Sequence, residues 1–172
     1  SFDPPSFGHL DVVARGRRIF DRLVVGVGQN PSKDTLFSAA ERVEMLQQLV
    51  ADTVRAEPGH APVDVRPYSG LTIDCAHSIG ATVLLRGIRN PPALQYETQQ
   101  PVTANPAAGL ETAFVVAGQS FAYTSSTLIK QIAAMGQDLT ILKPMVPQLV
   151  IDRLIEKKRT DPSAFSRLAE ST

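Results

Sequence analysis

The feature that most constrains the fold of this chain is a series of four short strand-like segments, separated by stretches with helical patterning. Three are apolar runs, at residues 23–28, 82–85 and 113–116 of the 172, and residues 63–67 alternate apolar and polar side chains. Short runs rich in Val and Leu are typical of strands in a parallel sheet, and strands that alternate with helices form βαβ units. The sequence therefore predicts a single-domain α/β fold, a Rossmann-like doubly wound parallel sheet with helices on both faces.

The stretches between the apolar runs carry helix signals. Apolar residues at helical spacing follow Gly8-His9, and Ser38 with Glu41 forms a capping box ahead of a periodic segment. The domain is expected to span residues 1–159, and residues 160–172 are expected to form a polar, mobile tail. The predicted helices span residues 8–21, 39–51, 71–79, 125–135 and 147–158.

Polar segments at the predicted strand ends indicate where a ligand binds. Residues 30–33 (Asn-Pro-Ser-Lys), 86–89 (Arg-Gly-Ile-Arg) and 121–127 all follow a strand. In sheets of this type ligands bind beyond the carboxyl ends of the strands, and helix N-termini favour anions. His9 opens one predicted helix, where its side chain can donate to a phosphoryl oxygen. No Walker loop is present, so the pattern predicts a nucleotide-phosphate site of another kind.

Composition excludes several classes of partner. The chain has 17 Lys plus Arg and 17 Asp plus Glu, so no basic stripe points to nucleic acid or to an anionic membrane surface. No apolar stretch reaches the ~18 residues of a membrane helix, and no cluster has metal-ligand spacing. Cys75 is the only cysteine and cannot form an internal disulfide. We therefore expect a cytoplasmic protein without a protein-held metal.

The position of the first motif suggests an additional strand. Ser1 already belongs to the predicted phosphate-binding turn. Turns of this kind normally follow a strand. We therefore expect a short N-terminal strand before Ser1 that this sequence lacks; the alternative is a chain that naturally starts in the loop.

Four motifs in order resemble those of one enzyme family. F-D-P-x-x-x-G-H, N-P-S-K, R-G-I-R and S-S-T-L-I-K, from Ser1 to about Pro147, are similar to the phosphopantetheine adenylyltransferases of the nucleotidyltransferase superfamily, whose hallmark is (T/H)-x-G-H. The resemblance implies transfer of AMP from ATP to 4′-phosphopantetheine in coenzyme A biosynthesis, giving dephospho-coenzyme A and pyrophosphate without a covalent intermediate. It also implies Mg²⁺ bound through the ATP phosphates and a homo-oligomer, commonly a hexamer.

The resemblance also implies roles for individual residues. His9, Lys33 and Arg89 would be catalytic, with His9 at the α-phosphate and Ser6 in the Thr position of the motif. The residues implied to bind 4′-phosphopantetheine are Ser1, Lys33, Thr72 and Arg86. Those implied to bind ATP are Ser1, Phe2, His9, Gly87, Ile88, Arg89, Glu97, Phe121, Ser125, Ser126 and Thr127.

Residues 90–105 depart from the family pattern and keep alternatives open. Pro101 is expected to end or kink a helix that begins near Asn90, and the usual M-N-R/K stretch is replaced from Thr103. One alternative is another nucleotidyltransferase, similar to the nicotinate-nucleotide adenylyltransferases or the cytidylyltransferases. The other is a nucleotide-binding paralogue with little catalysis. The N-P-S-K and R-G-I-R motifs favour phosphopantetheine as the acceptor.

Overall fold

A computed structural model describes residues 2–29, 34–89 and 109–170. Helices and parallel strands alternate in it, as the apolar runs predict. The strands are β1 (Leu23–Gln29), β2 (Val63–Ser69), β3 (Val83–Ile88) and β4 (Glu111–Val116). The helices are α1 (Phe7–Arg17), α2 (Ala39–Ala56), α3 (Thr72–Ser78), α4 (Ser126–Met135), α5 (Gln148–Thr160) and α6 (Pro162–Glu170), with 3₁₀ turns at Gln119–Phe121 and Leu139–Leu142.

The described strands form two parallel pairs. β1 pairs with β2 from Leu23↔Val63 onward, and β3 pairs with β4 from Val83↔Glu111 onward. The predicted α/β fold class with parallel strands and helices is confirmed. The expected strand before Ser1 lies outside the described residues and stays a prediction.

Helix α1 packs against both strand pairs. Val13 is buried in one cluster with Val25 and Val27 of β1. On β3 the approach is so close that a Cβ atom on Gly87 would lie 2.5 Å from Val12 Cγ2. Gly87 therefore lets the helix that carries His9 sit directly on β3.

Helix α2 separates two hydrophobic clusters. Leu46 and Val50 pack with the strands and α1, whereas Met45 and Leu49 pack with the C-terminal helices. Its start is fixed by the predicted capping box, in which Glu41 N donates to Ser38 Oγ (3.2 Å). The helix continues to Ala56, five residues beyond the predicted end, and in this extension Val54 is partly buried against the strand cluster.

Two further predicted boundaries are wrong. Helix α1 ends at Arg17 rather than at residue 21, since the chain must turn before β1 and Ile19 is 63% exposed. Strand β3 runs to Ile88, because its pairing with β4 continues to Ile88↔Val116. Arg86 and Gly87 therefore lie within the strand, and Arg89 alone of the R-G-I-R motif follows it.

The predicted mobile tail is also wrong over residues 162–170, which form helix α6. Asp161 accepts from Ala164 N, and Pro162 occupies the first helical position, where its missing N–H costs nothing. Ala164 and Phe165 are buried against the C-terminal cluster. Burial of this amphipathic face orders the segment.

Lys158 of α5 stabilises the C-terminal end of α4. Its ammonium donates to the carbonyls of Ala133 (2.8 Å), Ala134 (3.3 Å) and Gly136 (2.7 Å), and it lies over the Phe165 ring. A cation at the C-terminal end of a helix also interacts favourably with the helix dipole. We expect Lys158→Met to lower the free energy of unfolding by about 2 kcal/mol, the scale of hydrogen bonds to a charged group. Urea unfolding measures this, with exposed Arg159→Met as the control. Equal stability of the two variants would contradict it.

No helix in the described ranges combines the length and apolarity needed to cross a membrane.

Candidate active site

The capping box of α1 fixes the chemical state of His9. Ser6 N donates to His9 Nδ1 (3.0 Å), the Ser6 hydroxyl lies 3.0 Å from the same nitrogen, and His9 N donates to Ser6 Oγ (3.4 Å). Because a backbone N–H can only donate, Nδ1 must be an unprotonated acceptor. The proton of the neutral ring is therefore on Nε2. The sequence predicted a functional His9 but not this tautomer, which Ser6 in the Thr position sets.

His9 stays neutral because of its surroundings. Burial, the largest cause, and the positive charge of Arg89 both contribute to lowering the pKa of His9 to about 3. The Phe2 ring packs against the imidazole, with ring centroids 4.8 Å apart. Phe2, His9 and Arg89, three of the predicted site residues, are thus brought together.

This state of His9 predicts a pH dependence of stability. The folded pKa of about 3 lies below the ordinary 6.5, so the unfolded chain binds more protons between these values. Stability should rise with pH through this window, by up to about 1.4 kcal/mol per unit, and level off above it. Urea unfolding from pH 4.5 to 8 checks this against His9→Asn, whose side chain does not titrate. A wild-type minus variant difference that does not change with pH would contradict it.

A loop from residue 117 to residue 124 closes one side of the site. Gly118 N donates to Asp11 Oδ2 (2.9 Å), which holds the loop to α1. The Phe121 ring lies 6.4 Å from that of Phe7. Arg89 donates to the Thr124 carbonyl. The loop therefore places Phe121 beside the start of α1 and gives Arg89 a backbone partner.

The N-terminus of α4 lies against the same turn. Ser125 Oγ caps the helix by accepting from Leu128 N (3.0 Å), and Ser126 Oγ donates to the Pro4 carbonyl (2.9 Å). Both hydroxyls are thus used within the protein. The first N–H groups of a helix have no partner within it, so these groups and the exposed Thr127 are what α4 offers to a phosphate.

Gly8 is buried at the start of α1, between Ser6 and Phe121. A Cβ atom there would meet Phe121 Cβ at 3.5 Å and Ser6 Oγ at 3.7 Å, both ordinary contacts. Packing among the described residues therefore does not require glycine at this position.

The predicted acceptor residues Arg86 and Thr72 lie on β3 and at the start of α3. Arg86 is half-buried within β3, and Ile88 is buried on the same strand. Thr72 begins α3, where its hydroxyl lies 2.8 Å from Tyr68 Oη. Within the described residues, no contact joins Thr72 to Phe2, His9 or Arg89. Gly87 faces Val12 of α1, so its predicted role with ATP would have to come from its backbone.

Three predicted site residues lie outside the described residues: Ser1, Lys33 and Glu97. The whole of the unusual segment from 90 to 105 also lies outside them. Their predicted roles stay predictions.

Sequence reasoning missed a buried ion pair beside the site. Asp3 and Lys130 are in contact, with Lys130 Nζ 3.3 Å from Asp3 Oδ2. Both residues stand inside motifs quoted above, F-D-P and S-S-T-L-I-K, and their opposite charges were the available signal. Among the described residues, no group of three or more His, Cys, Asp or Glu has the arrangement of a metal site.

Comparison with known proteins agrees with this geometry. Residues 1–132 match the family model described as cytidylyltransferase-like. A phosphopantetheine adenylyltransferase of Methylocella silvestris is 39% identical over 162 residues, 94% of each chain. One of Nitrobacter winogradskyi is 42% identical over 158 residues, covering 91% of this chain and 93% of the relative. One of Geobacter metallireducens is 38% identical over 158 residues, 91% of each chain. The chain therefore belongs to the cytidylyltransferase-like family and, within it, to the phosphopantetheine adenylyltransferases.

Proposed function

We propose that this protein transfers AMP from ATP to 4′-phosphopantetheine, releasing pyrophosphate and forming dephospho-coenzyme A. The observation that carries the proposal is the neutral His9, held with its proton on Nε2 next to Arg89 and the N-terminus of α4. The names of the relatives support the acceptor. Those names also support adenylyl transfer, and the arrangement of His9, Arg89 and α4 supports binding of phosphates.

In the proposed reaction an oxygen of the acceptor phosphate attacks the α-phosphorus of ATP in line with the leaving group. A new O–P bond forms, the bond between the α-phosphorus and the bridging oxygen to the β-phosphate breaks, and its electron pair leaves with pyrophosphate. A phosphate monoester has its second pKa near 6, so the nucleophile is already ionised at neutral pH. No general base is needed.

His9 suits this reaction as a hydrogen-bond donor and not as a base. Nδ1 accepts from Ser6 and Nε2 carries the proton, so the ring has no acceptor to offer a substrate. Its Nε2–H can donate to a non-bridging oxygen of the α-phosphate as negative charge builds there. The guanidinium of Arg89 adds a fixed positive charge beside the same ring. Together they stabilise the transition state electrostatically.

The site fits Mg²⁺ as a companion of the nucleotide. The nearby carboxylates are already used: Asp3 accepts from Leu36 N and Phe37 N, and Asp11 accepts from Gly118 N and Arg15. A Mg²⁺ ion keeps several waters and takes phosphate oxygens readily. We propose that it is held through the ATP phosphates, which Arg89 and the N–H groups of α4 would bind, and that it supplies charge neutralisation.

We also propose that the protein assembles into a homo-oligomer, with a hexamer as the expected form, and acts in the cytoplasm. Several large apolar side chains support an assembly by their exposure: Leu71 (66%), Val116 (69%), Tyr123 (88%) and Met135 (72%). Light scattering of the purified chain measures the mass directly. A monomer at micromolar concentration would contradict the proposal.

A panel of donors and acceptors tests the proposed function. Pyrophosphate release is measured with ATP and 4′-phosphopantetheine, with ATP and nicotinate mononucleotide, and with CTP and glycerol phosphate. We expect turnover with the first pair to exceed the others by at least about 100-fold. Faster turnover with another pair would assign another nucleotidyltransferase activity, and nucleotide binding without turnover would identify a non-catalytic paralogue.

A further inference from the structure

The buried carboxylate of Asp3 joins three segments that surround the candidate site. Asp3 is 1% exposed. It accepts from Leu36 N (2.9 Å) and Phe37 N (2.9 Å), in the stretch before α2, and pairs with Lys130 Nζ of α4 (3.3 Å). Asp3 itself stands in the turn that leads to His9. One side chain therefore links the turn, the chain before α2 and helix α4.

Lys130 lies on the same helix as the proposed phosphate-binding N-terminus. It follows Ser126 by four residues, about one helical turn, and its side chain is 14% exposed. Ser126 Oγ donates to the carbonyl of Pro4, the residue after Asp3. The start of α4 is thus attached to the His9 turn at two adjacent points.

The pair is not an obvious choice for stability. Removing two charges from water costs free energy that their attraction often fails to return, and a buried ion pair is weak evidence for stability. Its value here is geometric, because a carboxylate accepts from all three donors at once. An amide in its place would turn one acceptor into a donor facing other donors.

We propose that Asp3 and Lys130 form a positioning pair for adenylyl transfer. The pair sets the distance and orientation between His9 and the N-terminus of α4. The Nε2–H of His9 and the N–H groups of the helix can then donate to the phosphates of the same bound nucleotide. Neither residue is assigned contact with substrate. The inference rests on the proposed function for its kinetic readout, and a second readout is independent of turnover.

The kinetic test compares Lys130→Met, Lys130→Arg and Lys158→Met. Lys158→Met is the matched control, because Lys158 supports the opposite end of α4 through carbonyls. We expect Lys130→Met to lower kcat about 10- to 100-fold, the scale of a misplaced catalytic group, while KM for ATP changes less than about threefold. Lys130→Arg should recover kcat to within about threefold of wild type, and Lys158→Met should keep the wild-type kcat. Equal kcat values for Lys130→Met and Lys158→Met would overturn the proposal.

Asp3 variants separate positioning from stability. Asp3→Asn leaves Lys130 buried without its carboxylate, and the double variant Asp3→Asn/Lys130→Met removes both charges. We expect the double variant to regain part of the melting temperature lost by Asp3→Asn, with kcat still at least about 10-fold below wild type. Recovery of kcat in step with melting temperature would show a merely structural pair. If Asp3→Asn fails to fold, the kcat values of the three lysine variants still test the positioning role.

A spectroscopic readout remains informative even if the wild-type protein does not turn over phosphopantetheine. The Nε2–H resonance of His9 is followed by NMR as a non-hydrolysable ATP analogue is added. We expect a downfield shift in wild type and Lys158→Met, and its loss in Lys130→Met at saturating analogue. The same shift in all three proteins would overturn the positioning role. Absence of wild-type turnover with the expected shifts intact would count against the proposed function alone.

Discussion

Replacing His9 with Ala is expected to lower kcat by about 10²- to 10³-fold, the cost of losing one donor that stabilises a developing oxyanion. KM for ATP should change less than about threefold, because the donor acts chiefly on charge that appears in the transition state. Steady-state pyrophosphate release at saturating ATP and 4′-phosphopantetheine measures both constants.

Two further variants at the same position separate the two ring nitrogens. His9→Asn places a carbonyl oxygen near Nδ1, so it can still accept from Ser6 N and preserve the capping box, but it has no donor at the position of Nε2. His9→Gln places an amide N–H close to the Nε2 position. We expect His9→Asn to be as slow as His9→Ala although better folded, and His9→Gln to recover about tenfold. Wild-type kcat in His9→Asn would remove the Nε2 donor from the mechanism.

Arg86→Met is expected to raise KM for 4′-phosphopantetheine by about 10- to 100-fold, while KM for ATP changes less than about threefold. The factor corresponds to the ~1.5–3 kcal/mol of a hydrogen bond to a charged group. Arg86 lies within β3, on the strand that ends at the site, and the resemblance assigns it to the acceptor phosphate. Met keeps the length of the side chain and removes the charge.

Arg89→Met is the matched comparison on the same motif. Arg89 follows β3 and contacts the Thr124 carbonyl next to α4, so its loss should act on kcat and on KM for ATP. The two variants should therefore differ in which substrate constant changes. A rise in KM for ATP with Arg86→Met, and not for the acceptor, would reverse the assignment of the two arginines.

Local signals made much of the fold predictable. The capping box of Ser38 and Glu41 marks the start of α2, and the apolar and alternating segments mark the strands, because each signal acts within a few residues. His9 at the start of α1 was found for the same reason. The family and its reaction followed from four short motifs in order, which needed no knowledge of packing.

Other features depend on pairing and packing that sequence patterns do not show. Arg86 looked like the end of a strand, yet pairing with β4 continues past it and keeps it half-buried within β3. The helix after Asp161 was missed because its polar composition outweighed two apolar residues, Ala164 and Phe165, which lie on one buried face. The available signal was the helical spacing of Leu168, which follows Ala164 by four residues and Phe165 by three.

The ion pair of Asp3 and Lys130 shows the same limit most clearly. The two residues are 127 positions apart, and each has a charge that would ordinarily be solvated. Only the folded chain places them together, under the turn that carries His9. The tautomer of His9 likewise follows from a hydrogen bond geometry and not from residue identity.

The most direct test of the central claim is a single-turnover experiment with enzyme in excess over ATP labelled in its α-phosphate. With 4′-phosphopantetheine present, the label should appear in dephospho-coenzyme A, and one pyrophosphate should be released for each label transferred. No label should be found on the protein. His9→Asn should form the same product at least about 100-fold more slowly. Label found on the protein, or label transferred at the wild-type rate by His9→Asn, would contradict direct transfer assisted by His9.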